Sequence, residues 1–214
     1  MELDRPEPGV PLNAGAPTIP RPAATVILVR GDATGLEVLL VQRNPAARLM
    51  GGVWVFPGGS VEPHEGEGER GLRAAAAREL HEEAGIALGS TSELLPFARW
   101  ITPRQLLVRF DTWFYVANAP VGAEPRVDGV EVVAHRWLAP AAALEEGRGG
   151  ALELVFPTIK QLERLAGFSS AADLLEEIRS HEVVAVEPRV IDAGGRVRIV
   201  LPGEPGYDAD SVSG

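Results

Sequence analysis

Glu79, Glu82 and Glu83 lie in the run Arg78-Glu79-Leu80-His81-Glu82-Glu83-Ala84-Gly85-Ile86, and spacings of three and four residues stack side chains on one side of a helix. Three carboxylates on one helical patch repel one another unless a cation lies between them. The chain has no cysteine, and His64, His81, His135 and His181 are scattered, with none placed as a ligand. Donors made only of oxygen suit a hard ion, magnesium or manganese, rather than zinc. A charged, solvated face is the ordinary fate of a Glu-rich helix, but the residues upstream favour the ion. Phe56-Pro57-Gly58-Gly59 follows the apolar stretch Val53 to Val55, which reads as a short strand. The two glycines allow a turn in which backbone groups approach a ligand closely.

The element that must carry these acids is a helix from about Glu69 to Ala84. Leu72, Ala76, Leu80 and Ala84 recur every four residues as a narrow apolar stripe, and Glu79 and Glu83 fall about 100° from Leu80 and Ala84, so one face packs while its neighbour binds. Ala74 to Ala77 favours helix and lets the backbone lie close to a sheet. Gly85 is placed to end the helix as a left-handed cap, with Ile86 folding back onto the core. Arg78 lies four residues before Glu82 and is positioned to hold that carboxylate.

This segment resembles the signature of the Nudix hydrolases, Gly-x5-Glu-x7-Arg-Glu-U-x-Glu-Glu-x-Gly-U with U aliphatic. Arg78, Glu79, Leu80, Glu82, Glu83, Gly85 and Ile86 match its second half, and Gly59 and Glu65 match its first. Twelve residues rather than seven separate Glu65 from Arg78. The difference reads as a five-residue insertion within Pro63 to Arg70, suited to a surface loop, with Glu65, Glu67 and Glu69 all open as the displaced acid. The resemblance implies an α/β/α sandwich and a Mg2+ or Mn2+ site made by Glu79, Glu82, Glu83 and the Gly59 carbonyl. It implies hydrolysis of a diphosphate bond in a nucleoside diphosphate linked to another moiety. The base is left open between Glu79, Glu82 and a loop acid; Glu131 is considered as a further metal-facing carboxylate, with surface exposure the ordinary reading.

Leu39-Leu40, Arg43, Arg48, Gly52 and Phe56 to Gly59 are similar to the motif that precedes the box in coenzyme A-type Nudix diphosphatases, with Val41 and Asn44 departing from it. Arg109-Phe110-Asp111-Thr112, Phe156 to Phe168 and Leu201-Pro202-Gly203-Glu204-Pro205-Gly206-Tyr207 resemble the peroxisomal-type subfamily. Coenzyme A or an acyl-coenzyme A is therefore the leading substrate. ADP-ribose, another sugar nucleotide, NADH or a nucleoside triphosphate is the alternative, and a non-catalytic nucleotide-binding module is a third. Arg43, ending a strand, and Arg48, in the loop before the glycines, are expected to face phosphates, where bidentate contacts are strong. Arg99, Arg104 and Arg109 form a second basic stretch, from which Arg109 is taken as substrate-binding. Among the tryptophans, Trp100 is considered for stacking on a nucleobase.

The whole chain frames these residues. Its 214 residues, 45% hydrophobic, are enough for one well-filled domain, expected over residues 21–207, with a flexible arm at 1–20 and a tail at 208–214. The polar, proline-rich opening carries no signal-peptide pattern, so a cytoplasmic location is expected, and no apolar run reaches membrane-span length. Ser211-Val212-Ser213-Gly214 lacks the peroxisomal Ser-Lys-Leu. A formal charge of −10 opposes non-specific nucleic-acid binding. The partner is a small nucleotide, and the resemblance admits a homodimer. Strands are expected at Ala24–Arg30, Leu36–Arg43, Glu93–Ile101, Leu106–Ala117 and Val130–Leu138. Helices are expected at Ala139–Glu146, Phe156–Ala166 and Ser170–Ser180, with Ser170 an N-cap. A closing hairpin is expected from Glu182–Ile191 and Arg196–Leu201. This order predicts an α/β fold, a mixed sheet with helices on both faces and extra C-terminal helices and hairpin.

Overall fold

A computed structural model describes residues 13, 15–32, 35–192 and 197–208. Its elements, in order, are β1 (Arg21–Arg30), β2 (Glu37–Arg43), β3 (Trp54–Val55), β4 (Gly58–Ser60), α1 (Gly68–Ala84), β5 (Leu95–Ile101), β6 (Phe110–Asn118) and β7 (Val132–Leu138). These are followed by α2 (Pro140–Arg148), α3 (Phe156–Leu165), α4 (Ala171–Ile178), β8 (Ala185–Val186), β9 (Arg189–Asp192) and β10 (Val197–Val200). A mixed sheet runs β3-β2-β1-β6-β5-β8, with β4 added to β1 and β7 to β2, while β9 and β10 form a separate hairpin.

β1 lies parallel to β6 along its length and is apolar on both faces, as a central strand covered from both sides must be. Its alternation divides the core in two. Ala24, Val26 and Leu28 pack with Ala75, Ala76, Leu80 and Ala84 of α1 on one face. Ile27 and Val29 pack with Ala143 of α2, Leu162 and Leu165 of α3 and Leu174 and Ile178 of α4 on the other. This is the expected α/β/α sandwich. α1 ends as predicted: Gly85 adopts φ 67°, ψ 14°, and its N–H donates to the His81 carbonyl. Ser170 caps α4 by accepting from the Asp173 N–H.

Several expectations change. Gly58 and Gly59 do not turn; they form β4, antiparallel to β1 with Ala24 opposite Gly59. A Cβ on Gly58 would lie 2.6 Å from the Ala24 carbonyl oxygen, so this glycine permits close strand approach rather than a positive φ. The segment Pro63–Arg70 is only partly loop, because Pro63–Glu65 is a 3-10 turn and α1 already begins at Gly68; part of the insertion extends the helix. Leu106 to Arg109 leave the predicted strand and complete the loop between β5 and β6, where the Arg109 side chain donates back to the Thr102 carbonyl. Val130 and Glu131 precede β7 in a loop held by Asp128, which accepts from the N–H groups of Val130, Glu131 and Val132. The C-terminal strand divides, since β8 joins β5 in parallel and only β9 pairs with β10; the Ala193-Gly194-Gly195 turn lies outside the described residues. Of the N-terminal arm, Asn13 and Thr18 bond to the Gln105 and Leu107 carbonyls, and most of the rest, like residues 209–214 of the tail, lies outside the described residues.

Candidate active site

The seam between β4 and α1 brings backbone and carboxylates together. The Gly58 N–H donates to Glu83 Oε2 at 2.9 Å, and a Cβ on Gly59 would meet the Glu79 carboxylate, so the glycine leaves that carboxylate its present position. Because α1 repeats every 3.6 residues, Glu79 and Glu83 stand one turn apart on the face beside the packed stripe, and both line a cavity of about 450 Å³.

Arg78 fixes this face. Its Nε donates to Glu65 Oε1 at 2.9 Å, its Nη1 to Glu79 Oε1 and Glu82 Oε2 at 2.8 Å each, and its Nη2 to the Ser60 carbonyl at 3.0 Å. Only a planar guanidinium offers that many donors in one fork. Burial alone would lower its pKa, but the bonds to Glu65, Glu82 and Glu79 raise it. Of the three acids left open in the insertion, Glu65 is the one joined to Arg78, and its side chain is 4% exposed. Burial would raise the Glu65 pKa, but Arg78 and the Glu62 N–H hold it below the ordinary value. Glu69 instead pairs with Arg73 at the start of α1.

Glu82 is not in the cavity. Its half-exposed carboxylate rests on Arg78, whereas Glu79 and Glu83 line the cavity. Glu131 is exposed, the ordinary reading of its sequence position, and it lines the cavity together with Glu62, Glu79 and Glu83. The available signal was Asp128, three residues earlier, whose loop bonds place Glu131. Asn44 contributes as well: its N–H donates to the Glu131 carbonyl and its Nδ2 to the Val130 carbonyl at 2.8 Å each.

Burial and neighbouring carboxylates raise the pKa of Glu83 and Glu79. Glu83, 3% exposed, is pushed up to about 7 by burial, with Glu79 and Glu131 adding to the rise and the Gly58 N–H and Arg43 opposing it. Glu79 is raised by burial and by Glu82 and Glu131, against the pull of Arg78. Arg43 lies where the β2–β7 register shifts between Gln42 and Arg43, an irregularity that re-aims side chains. It lines the cavity, and its Nε is buried with no hydrogen-bond partner.

The other arginines are placed differently. Arg48 is exposed and does not line the cavity. Arg109 is 6% exposed and donates to the Thr102 and Thr18 carbonyls and to Glu187, so it is a framework residue rather than a substrate contact. Arg99 pairs with Asp111, and Arg104 with Glu187, which leaves no second open basic patch there. Trp100 does line the cavity, edge-on to Phe156 with ring centroids 6.0 Å apart.

The donor chemistry fits a hard divalent cation. The buried Glu83 and partly buried Glu79 carboxylates face a glycine backbone, with charge repulsion that a cation would relieve. Among the described residues no set of three acidic or histidine side chains converges as a complete cage.

A model of the NUDIX domain family matches residues 19–156, more than half of the chain. The chain belongs to the Nudix family. Nudix hydrolase 7 of Caenorhabditis elegans is 28% identical over 182 residues, covering 68% of this chain and 60% of that protein. The acyl-coenzyme A diphosphatase NUDT19 of Homo sapiens is 31% identical over 121 residues, 54% of this chain and 32% of its own. The chain thus spans less than two thirds of the length of either relative. A NUDIX hydrolase from Alicyclobacillus acidocaldarius superposes with a TM-score of 0.67 at 26% identity, covering 74% of this chain and 96% of the other. The NUDIX domain of Shewanella oneidensis NrtR, solved with ADP ribose, shares the fold with a TM-score of 0.54 at 19% identity over 68% of this chain and 86% of that one. No described helix of this Nudix chain is long and apolar enough to cross a membrane.

Proposed function

We propose that this chain is a Nudix pyrophosphohydrolase, dependent on Mg2+ or Mn2+, that cleaves the diphosphate bond of a nucleoside diphosphate linked to another moiety, with coenzyme A or an acyl-coenzyme A as the leading substrate. The observation that carries the reading is the pair Glu79 and Glu83 against the Gly58-Gly59 backbone in a cavity also lined by Arg43, whose buried Nε has no hydrogen-bond partner. Glu79 and Glu83, with the Gly59 carbonyl, would hold the ion. When bound, the ion neutralises phosphate oxygens and lowers the pKa of an attacking water.

The chain's own residues supply the rest. Arg43 would bind a phosphate oxygen, its buried Nε being without a hydrogen-bond partner. Arg78 holds the Glu79 carboxylate in one orientation, with Glu65 and the Ser60 carbonyl bracing the guanidinium from behind. The proton of the water would pass to Glu79 or to Glu131. Glu82, bound to Arg78, would act through that arginine.

Coenzyme A as the substrate is supported by the motif from Leu39 to Gly59 and by the partial similarity to an acyl-coenzyme A diphosphatase. ADP-ribose or another dinucleotide is the second reading. Asn44, which departs from the coenzyme A-type motif, is engaged with Val130 and Ala46 rather than free for a ligand. The inward-facing Glu79 and Glu83 argue against a binding module without turnover. The test is phosphate-bond cleavage on coenzyme A, an acyl-coenzyme A, ADP-ribose, NADH and nucleoside triphosphates, with and without Mg2+. The leading reading expects metal-dependent cleavage of the coenzyme A compounds, and Glu83→Gln should remain folded yet lose at least about a hundredfold in turnover. Cleavage confined to ADP-ribose would move the assignment to the second reading, and a fully active Glu83→Gln would remove the proposed site.

A further inference from the structure

The cavity has two chemically different regions. Its charged lining residues, Arg43, Glu62, Glu79, Glu83 and Glu131, come from β2, the β4–α1 region and the loop before β7. The lining contributed by β5, the β5–β6 loop, β6, α3 and the C-terminal segment carries no charge, and Trp100, Leu106, Phe110, Phe156, Pro188 and Ile199 dominate it. From β1, beside the glycines, the sheet passes through β6 to β5. Two strand spacings separate those regions by roughly 10 Å, so one extended molecule is needed to occupy both.

Pro188 and Ile199 lie beyond the residues matched by the family model, which ends at 156. They are held over the cavity by a specific clasp. The Glu187 carboxylate accepts from Arg109 Nη2 at 2.8 Å and from Arg104 Nε at 3.0 Å, and its carbonyl accepts from the Tyr207 hydroxyl at 2.9 Å. Arg189 in turn donates to the Tyr207 carbonyl and stacks on its ring. β8 adds to β5 beside Trp100, and the Val200 and Ile199 side chains are buried. The Leu201–Tyr207 segment therefore anchors a strap, and buried Arg109 holds that strap through Glu187.

We propose that the C-terminal strap, clasped through Glu187, builds an uncharged apolar subsite continuous with the carboxylate seam, and that this subsite takes an extended apolar moiety carried by the diphosphate substrate. The proposal rests on the pyrophosphohydrolase reading for the identity of the diphosphate end. Glu187 and Arg109 are positioning residues, while Ile199, Phe156 and Trp100 touch the ligand. Burial of a methylene strengthens binding by about fourfold, so a ligand whose chain enters the subsite gains affinity steeply with length.

The test compares the β-methyl and β-n-octyl esters of adenosine 5′-diphosphate. Dissociation constants are measured by calorimetry in EDTA, which removes turnover, for the wild type, Glu187→Gln and Ile199→Ser. The octyl ester should bind the wild type at least about tenfold more tightly than the methyl ester, and both variants, checked for fold by circular dichroism, should reduce that ratio at least about threefold. Equal affinities in the wild type, or an unchanged ratio in folded variants, overturn the subsite. Turnover with Mg2+ separates the two ideas. Hydrolysis of neither ester counts against the pyrophosphohydrolase reading while leaving the affinity ratio to judge the strap. Hydrolysis of both with equal affinity and equal KM keeps the enzyme and removes the subsite.

Discussion

Arg78 links four acceptors, and its value lies in geometry more than in charge. Glu65, Glu79, Glu82 and the Ser60 carbonyl approach the guanidinium from different directions, so breaking one contact disturbs the orientation of the others. The Glu65 carboxyl has a folded pKa below its unfolded value of 4.5. Its stabilisation is therefore present above the unfolded pKa and is lost as pH falls through the lower folded value. Glu65→Gln should cost about 1–2 kcal/mol at pH 7, and the gap between variant and wild type should close on acidification below pH 4.5; urea titrations across that range check it. A constant gap at all pH values would deny the charge its role. Gly59 makes a complementary prediction. A methyl group there meets the Glu79 carboxylate, so Gly59→Ala should lower turnover by at least about tenfold through misplacement of that group. Circular dichroism should show the fold retained.

α1 performs two tasks on adjacent faces. Its small residues Ala75 and Ala76 are fully buried against β1, bringing the helix close enough for Glu83 to reach the Gly58 N–H. Its end is set by Gly85 in the left-handed region, where a Cβ would also lie 3.1 Å from the Arg126 carbonyl oxygen. Gly85→Ala should destabilise the protein by about 1–2 kcal/mol, read as a lower denaturation midpoint, while saturating turnover per folded molecule stays near wild type. A large loss of turnover at full folding would mean that the helix end, and not only the Glu79–Glu83 turn, governs the site. β4 works with α1 as a pair, since a three-residue strand has few contacts of its own and gains its register from β1.

The sandwich buries the sheet on both faces, and the seam opens only where β4, α1 and the loop before β7 meet. Holding Glu79 and Glu83 in place costs folding free energy through burial and repulsion from neighbouring carboxylates, which a bound divalent ion would offset. Ligand linkage makes this measurable across the whole molecule. Mg2+ at about a hundred times its dissociation constant should add about 2.7 kcal/mol, a rise in thermal midpoint on the order of 5–10 °C for a chain of this length. Glu83→Gln should abolish most of that rise. An equal shift in both proteins would place the ion elsewhere.

The apolar repeat Leu72-Ala76-Leu80-Ala84, the acids beside it and the cap at Gly85 were legible in order along the chain, because a helix turns local spacing into a face. So were Ser170 as a cap and the two-sided sheet, which follow from short-range pattern and from strands apolar on both faces. Tertiary contacts decided the rest. Glu65, Glu67 and Glu69 are chemically equal until the start of α1 brings one of them to Arg78. Arg109 resembles a phosphate ligand until Thr18, Thr102 and Glu187, at separations from 7 to 91 residues, close around it. Glu131 is exposed, as its sequence position suggests, and only the bonds of Asp128 and Asn44 bring its loop to the cavity. Local spacing dictates which way a side chain leaves its own helix or strand, whereas its partner depends on which distant segments the packed sheet brings within hydrogen-bonding reach.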